Sequence, residues 1–118
     1  MTTAPLVLVV DDSPIIVRAA TLVLSRAGYD VRAAETAADG LRQAQALRPR
    51  VILLDVELPD GDGHDVLRQL KADPATASIP VIFCTGHKDG VADAEAYLAK
   101  PFSPSDLLAV VERFVVAG

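Results

Sequence analysis

The sequence predicts an α/β protein: a parallel β-sheet with helices packed on both of its faces. Three observations carry that prediction. Leu6–Val10 and Val51–Leu54 are aliphatic runs with no polar interruption, as a strand buried on both faces requires. Stretches of helical periodicity follow them, opened by capping residues. Strand-like and helix-like stretches then alternate along the chain, which is the pattern of strand–crossover–strand units. The chain has 118 residues, 51% of them hydrophobic, enough for one self-sufficient core and too few for two. The expectation is a single domain over residues 1–118.

Each element has its own signals. Leu6-Val7-Leu8-Val9-Val10 ends on Asp11-Asp12, and Ser13-Pro14 then supplies an N-cap and a proline at the first helical position. This helix is expected to turn Ile15, Ile16, Ala19, Leu22 and Val23 inward and to close at Arg26-Ala27-Gly28, where glycine can take the left-handed conformation. Tyr29–Ala33 alternates apolar with polar, the mark of an edge strand. Thr36–Leu47 places Ala37, Leu41, Ala44 and Leu47 at helical spacing, with Pro49 as its stop. Val51–Asp55 is the next buried strand. A Pro/Gly-rich loop follows, then a helix from about His64 to Ala72 with Val66, Leu67 and Leu70 facing in. Ile79–Cys84 reads as another buried strand and Tyr97-Leu98-Ala99 as a short one. Ser103-Pro104-Ser105-Asp106 opens the last helix. That helix carries Leu107, Leu108, Val110, Val111, Phe114 and Val115, a stripe wider than one buried face needs, which allows a homodimer or partner surface.

The link between the last two strands departs from the pattern. A helical crossover takes at least ~10–12 residues, whereas only residues 86–93 are available and two of them, Gly86 and Gly90, disfavour helix. Eight extended residues still reach about 26–29 Å. The fourth helix is therefore expected to be shortened or replaced by a loop.

Composition removes several function classes. A net charge of −5, with Arg18, Arg26, Arg32, Arg42, Arg48 and Arg50 scattered, argues against direct nucleic-acid binding, which needs clustered cations. The single cysteine, Cys84, excludes an internal disulfide, and its place in an apolar strand suits a small buried hydrophobe. No apolar run approaches the roughly eighteen residues of a membrane span. The N-terminus lacks the basic start of a signal peptide, so cytoplasmic residence without membrane attachment is expected. Asp60-Gly61-Asp62-Gly63 fails as an EF-hand, because Asp65 and Lys71 stand where glycine and a bidentate glutamate are required. No phosphate-cradling glycine loop is present.

The chemistry follows from the topology. In a parallel sheet every strand ends at the same edge, which brings together Asp11 and Asp12 after the first strand, Asp55 on the third, Thr85 on the fourth and Lys100 past the fifth. Three carboxylates ~4 Å apart repel by a few kcal/mol per pair at an effective dielectric near 20. Raised pKa values or a hard dication, Mg²⁺ above all, would relieve this. Mg²⁺ keeps positions for water and phosphate, which points to phosphoryl chemistry. Asp55 is then the candidate nucleophile, Lys100 a phosphate-binding point charge and Thr85 a hydroxyl donor.

Asp11-Asp12, Asp55 after Val-Ile-Leu-Leu, Leu58-Pro59-Asp60-Gly61-Asp62-Gly63, Thr85-Gly86 and Lys100-Pro101-Phe102, in this order, resemble the receiver domain of two-component response regulators across essentially the whole chain. The resemblance implies a flavodoxin-like five-stranded sheet of order 2-1-3-4-5. It implies Asp55 as the phosphoacceptor, with a phosphohistidine on a sensor histidine kinase or histidine phosphotransfer protein as donor and a downstream protein as target. Asp12 and Asp55 match direct Mg²⁺ ligands, Asp11 one acting largely through water, and Glu57 the position whose backbone carbonyl completes the shell. Thr85 and Lys100 match the phosphate-contacting pair, and Tyr97 the aromatic switch coupled to Thr85. His87 matches a position that tunes phosphoryl lifetime. The short Thr85–Lys100 segment departs from the family pattern on the face that family uses for output.

Two rival readings follow from the same residues. An aspartate-nucleophile phosphatase would need a second acid near Asp55, for which Glu57 is a poor stand-in. A receiver-like binding module would work without phosphorylation.

Overall fold

A computed structural model describes residues 4–86 and 94–116. In chain order the elements are β1 (Leu6–Val10), α1 (Pro14–Arg26), β2 (Asp30–Ala34), α2 (Ala37–Leu47), β3 (Val51–Asp55), α3 (Gly63–Ala72), β4 (Val81–Thr85), β5 (Ala96–Ala99) and α4 (Pro104–Val116). A small antiparallel hairpin, Glu57–Leu58 against Gly61–Asp62, stands between β3 and α3. The five long strands form one parallel sheet of order β2-β1-β3-β4-β5, which is the order expected. The crossover over 87–93, and His87 with it, lies outside the described residues; among those described there are four helices.

Residue alternation along the strands divides the core into two layers. Val7, Val9, Val51, Leu53, Ile82 and Cys84 point to one face, where α1 and α4 close over them with Ala20, Leu24, Leu107 and Val111. Leu8, Val10, Ile52, Leu54, Val81 and Phe83 point to the other, beneath Ala44 of α2 and Val66, Leu67 and Leu70 of α3. The central strands are buried on both sides, which is why they read as unbroken aliphatic runs.

The helix boundaries follow their signals. Ser13 Oγ accepts the Ile16 N–H at 3.4 Å with Pro14 at the first position, and Gly28 turns the chain out of α1 at φ +97°. Thr36 Oγ1 accepts the Asp39 N–H at 3.1 Å to open α2. That helix closes on Arg48 in the left-handed region (φ 49°), one residue before Pro49. Asp62 caps α3 through the His64 N–H at 2.8 Å.

One expectation is corrected. Ile15 is 79% exposed and Leu22 51%, and Ala19 is exposed as well. The inner face of α1 is Val17, Ala20, Val23 and Leu24. Ile15-Ile16-Val17 offers the helix two apolar phases, and packing against β2 and α4 goes with the one that runs through Leu24. The wide stripe of α4 is accounted for by its several neighbours: α4 packs on α1, β3 and β5 together. Leu107, Val110 and Val111 are buried there, with Leu108, Phe114 and Val115 partly so.

The approach to β5 is pinned by Glu95. Its N–H donates to the Val81 carbonyl at 3.0 Å, and its Oε2 accepts the Val81 N–H at 2.9 Å. Its Oε1 pairs with Lys71 Nζ, which also donates to the Ala77 and Ile79 carbonyls at 3.3 and 3.1 Å. The end of α3 and the starts of β4 and β5 are thereby fastened at one point. No helix of the described residues is long and apolar enough to cross a membrane.

Candidate functional site

The strand ends converge as parallel topology requires. Asp11 leaves β1 and is 2% exposed; its N–H donates to the Ala34 carbonyl at 2.9 Å. Its Oδ1 accepts the Ser13 N–H at 2.9 Å and its Oδ2 the Lys100 ammonium at 2.6 Å. Both carboxylate oxygens of Asp11 are therefore engaged. Asp55, the last residue of β3, is held more loosely: Oδ1 receives the Glu57 N–H at 3.4 Å and Oδ2 lies 3.5 Å from Lys100 Nζ. Asp12 is exposed at the rim. One carboxylate oxygen from each of Asp11, Asp12 and Asp55 lies within 4.8 Å of the others.

These groups open into a cleft of about 430 Å³ lined by Asp12, Asp55, Glu57, Pro59, Thr85 and Lys100 among others. Lys100 reaches it because its N–H donates to the Thr85 carbonyl at 2.9 Å, which places it just past the end of β5 beside β4. The Lys100–Pro101 peptide bond is cis. Burial and the neighbouring Asp11 charge push the Asp55 carboxyl above its ordinary range, while Lys100 and the Glu57 N–H pull it back only in part. Burial alone would lower the Lys100 ammonium, but the hydrogen bond to Asp11 and the charges of Asp11 and Asp55 outweigh it, and the net shift is upward. Lys100 is thus a firmly held cation between two acids.

The donor set suits a hard dication. Mg–O distances of about 2.0–2.1 Å keep any two ligands of one ion within about 4.2 Å of each other. Oxygens within 4.8 Å need only a small closure to meet that limit. The donors are carboxylates with no soft ligand among them, which favours Mg²⁺ over thiophilic metals.

The loop after Asp55 is shaped by a glycine. The Gly63 N–H donates to the Val56 carbonyl at 2.7 Å, and a Cβ on Gly63 would stand 2.3 Å from the Asp55 carbonyl oxygen. Backbone cannot yield there, so only glycine lets α3 start so close to the end of β3. The glycines of the Pro/Gly-rich loop are the signal the sequence carries, but local spacing does not record this close approach.

Tyr97 is 40% exposed, its ring 6.3 Å from that of Phe83. Phe83 stands opposite Tyr97 and Thr85 opposite Ala99 in the β4–β5 register, so Tyr97 and Thr85 occupy the same face of the sheet, the one covered by α2 and α3.

The family model for the response regulator receiver domain matches residues 7–112. The chain belongs to the response regulator receiver family. It is 35% identical to the protein PilH of Pseudomonas aeruginosa over 95% of this chain and 98% of that one. It is 38% identical to the DNA-binding dual master transcriptional regulator RpaA of Synechocystis, and 36% to the DNA-binding response regulator MtrA of Mycolicibacterium smegmatis. The chain spans about half the length of those two, 49% and 48%. Among solved structures, the chemotaxis response regulator CheY4 of Vibrio cholerae superposes with a TM-score of 0.89 at 31% identity, covering 95% of this chain and 99% of that one. The receiver domain of a sensor histidine kinase from Pseudomonas aeruginosa, solved with a magnesium ion coordinated in its active-site cleft, gives 0.90 at 26% identity over 97% and 99%. The receiver fold and its place in two-component signalling are therefore those expected from the sequence motifs.

Proposed function

We propose that residues 1–118 act as one phosphoacceptor unit in which Asp55 takes a phosphoryl group from a phosphohistidine on a sensor histidine kinase or phosphotransfer protein. An Asp55 carboxylate oxygen forms the new P–O bond as the P–N bond of the donor breaks, and the departing imidazole nitrogen takes up a proton from solvent water. Asp55 is favoured over its neighbours by one observation. Among the described residues its oxygens have only long contacts, at 3.4 and 3.5 Å, and they face the cleft, whereas both oxygens of Asp11 are engaged at 2.9 and 2.6 Å. Asp12 and Asp55 directly, Asp11 largely through water and the Glu57 backbone carbonyl would hold a Mg²⁺ ion, which would supply positive charge against the phosphoryl oxygens. Lys100 lies close enough to Asp55 to move onto the transferred group, and the Thr85 hydroxyl closes on a phosphate oxygen. Thr85 and Tyr97, on one face of the sheet, carry the change in charge to a protein-binding surface. The domain works in the cytoplasm on protein partners, with no direct nucleic-acid contact.

The test is incubation with Mg²⁺ and acetyl phosphate, followed by intact mass. The wild type gains one phosphate, and Asp55→Asn and chelated samples gain none. Uptake that survives Asp55→Asn would overturn the assignment. Continuous turnover of phosphate esters would favour a phosphatase instead; among the described residues Glu57 is the only acid lining the cleft besides Asp12 and Asp55, and it is exposed. Partner binding indifferent to phosphate would favour a receiver-like binding module.

A further inference from the structure

The hairpin after Asp55 is fastened to α2 through a single side chain. Asp60 lies between its two arms, and its Oδ1 accepts the Ala37 N–H at 2.6 Å while Oδ2 accepts the Ala38 N–H at 3.1 Å. These are the first two N–H groups of α2, which have no partner within the helix. The helix's own cap, Thr36, serves the third, at Asp39. A residue more than twenty positions along the chain therefore completes the helix end. The two N–H donors hold the Asp60 carboxyl below its ordinary range, as expected for an anion at a helix N-terminus. The approach is close along the hairpin as well: a Cβ on Gly61 would lie 3.9 Å from the Ala37 Cβ.

The base of the hairpin belongs to the cleft. Glu57 opens its first arm, donates its N–H toward Asp55 and lines the cleft with Leu58 and Pro59. At the far end of the second arm, Asp62 caps α3 and Gly63 bonds back to Val56. The base is thus anchored locally, while the turn is anchored by Asp60 to a helix outside the site.

We propose that Asp60 is a positioning residue for the Asp55 site: by tying the hairpin to α2 it holds the Glu57 arm at the cleft in the arrangement that receives a divalent cation. It thereby couples cation binding to the order of the α2 N-terminus. Coupling of this kind is reciprocal, so whatever the α2 contact adds to cation affinity, the cation returns as protection of the Ala37 and Ala38 N–H groups. The inference rests on the reading of the cleft as a Mg²⁺ site.

The experiment compares wild type, Asp60→Ala, Asp60→Asn and Thr36→Ala by Mg²⁺ titration followed through backbone amide NMR shifts, with hydrogen exchange at Ala37 and Ala38. Asp60→Ala should weaken Mg²⁺ binding about tenfold, as loss of an outer support of a metal site typically does. Asp60→Asn, which keeps one acceptor oxygen, should fall between the two. Mg²⁺ should slow exchange at Ala37 and Ala38 in the wild type and not in Asp60→Ala. Thr36→Ala removes a cap from the same helix while leaving the Asp60 carboxylate in place, and should weaken Mg²⁺ binding far less than Asp60→Ala does. Wild-type affinity in Asp60→Ala, or an equal loss in Thr36→Ala, would overturn the proposal and reduce Asp60 to an ordinary helix cap. A wild type that binds no Mg²⁺ would overturn the reading of the site itself, along with the inference drawn from it.

Discussion

Asp11 and Asp55 stand at the ends of adjacent strands, yet their environments prepare them for different work. Asp11 is buried, with Ser13 on one oxygen and Lys100 on the other, whereas Asp55 keeps its oxygens toward the cleft with longer contacts. Cys84 faces Asp55 directly in the β3–β4 register, and burial pushes its thiol up from 9.0 to about 12. Below pH 9 both folded and unfolded chains hold that proton. Between 9 and about 12 only the unfolded chain releases it, so the stability present at lower pH is lost as pH rises, by up to about 1.4 kcal/mol per pH unit. We expect the native thiol to react with a disulfide reagent at pH 8 far more slowly than the urea-unfolded one. Cys84→Ala should flatten part of the decline in urea midpoint above pH 9. A native thiol as reactive as a free one would contradict its burial.

At the scale of elements, α1 shows what periodicity leaves open. Ile15-Ile16-Val17 fits two helical phases about equally well, and only packing against distant elements, β2 and α4, decides between them. Leu24→Ala should cost about 2–5 kcal/mol in urea unfolding, because a buried leucine leaves a cavity in a close-packed layer. Leu22→Ala, on the exposed side of the same helix, should change stability by less than about 0.5 kcal/mol. Equal costs would restore the phase that places Leu22 inside. α3 posed no such ambiguity, since Val66, Leu67 and Leu70 are isolated among polar residues and permit one inward face.

Across the whole molecule, acids gather where five strands end, in a chain that already carries net charge −5. Any ligand that binds only the folded state stabilises it by mass action. At a Mg²⁺ concentration ten times its dissociation constant the gain is about 1.4 kcal/mol. Thermal unfolding should therefore shift upward by several degrees with Mg²⁺, return with chelator, and lose the response in Asp12→Asn. NaCl at matched ionic strength should not reproduce it, since screening does not neutralise a site this local. An equal rise with NaCl would assign the effect to general charge repulsion.

Val51–Asp55, Leu6–Asp12 and Lys100 made the sheet and its acidic edge legible from sequence, because strand direction in a parallel sheet forces those residues to one side whatever the details of packing. Burial of Cys84, the inward face of α3 and the cap at Ser13 were legible for the same reason: each is settled by neighbours within a few positions. The phase of α1, the contact of Asp60 with Ala37 and Ala38, the Lys71–Glu95 fastening and the need for glycine at Gly63 were decided by the tertiary structure alone. Each depends on which distant backbone comes to lie against a given side chain, and local spacing carries no record of that.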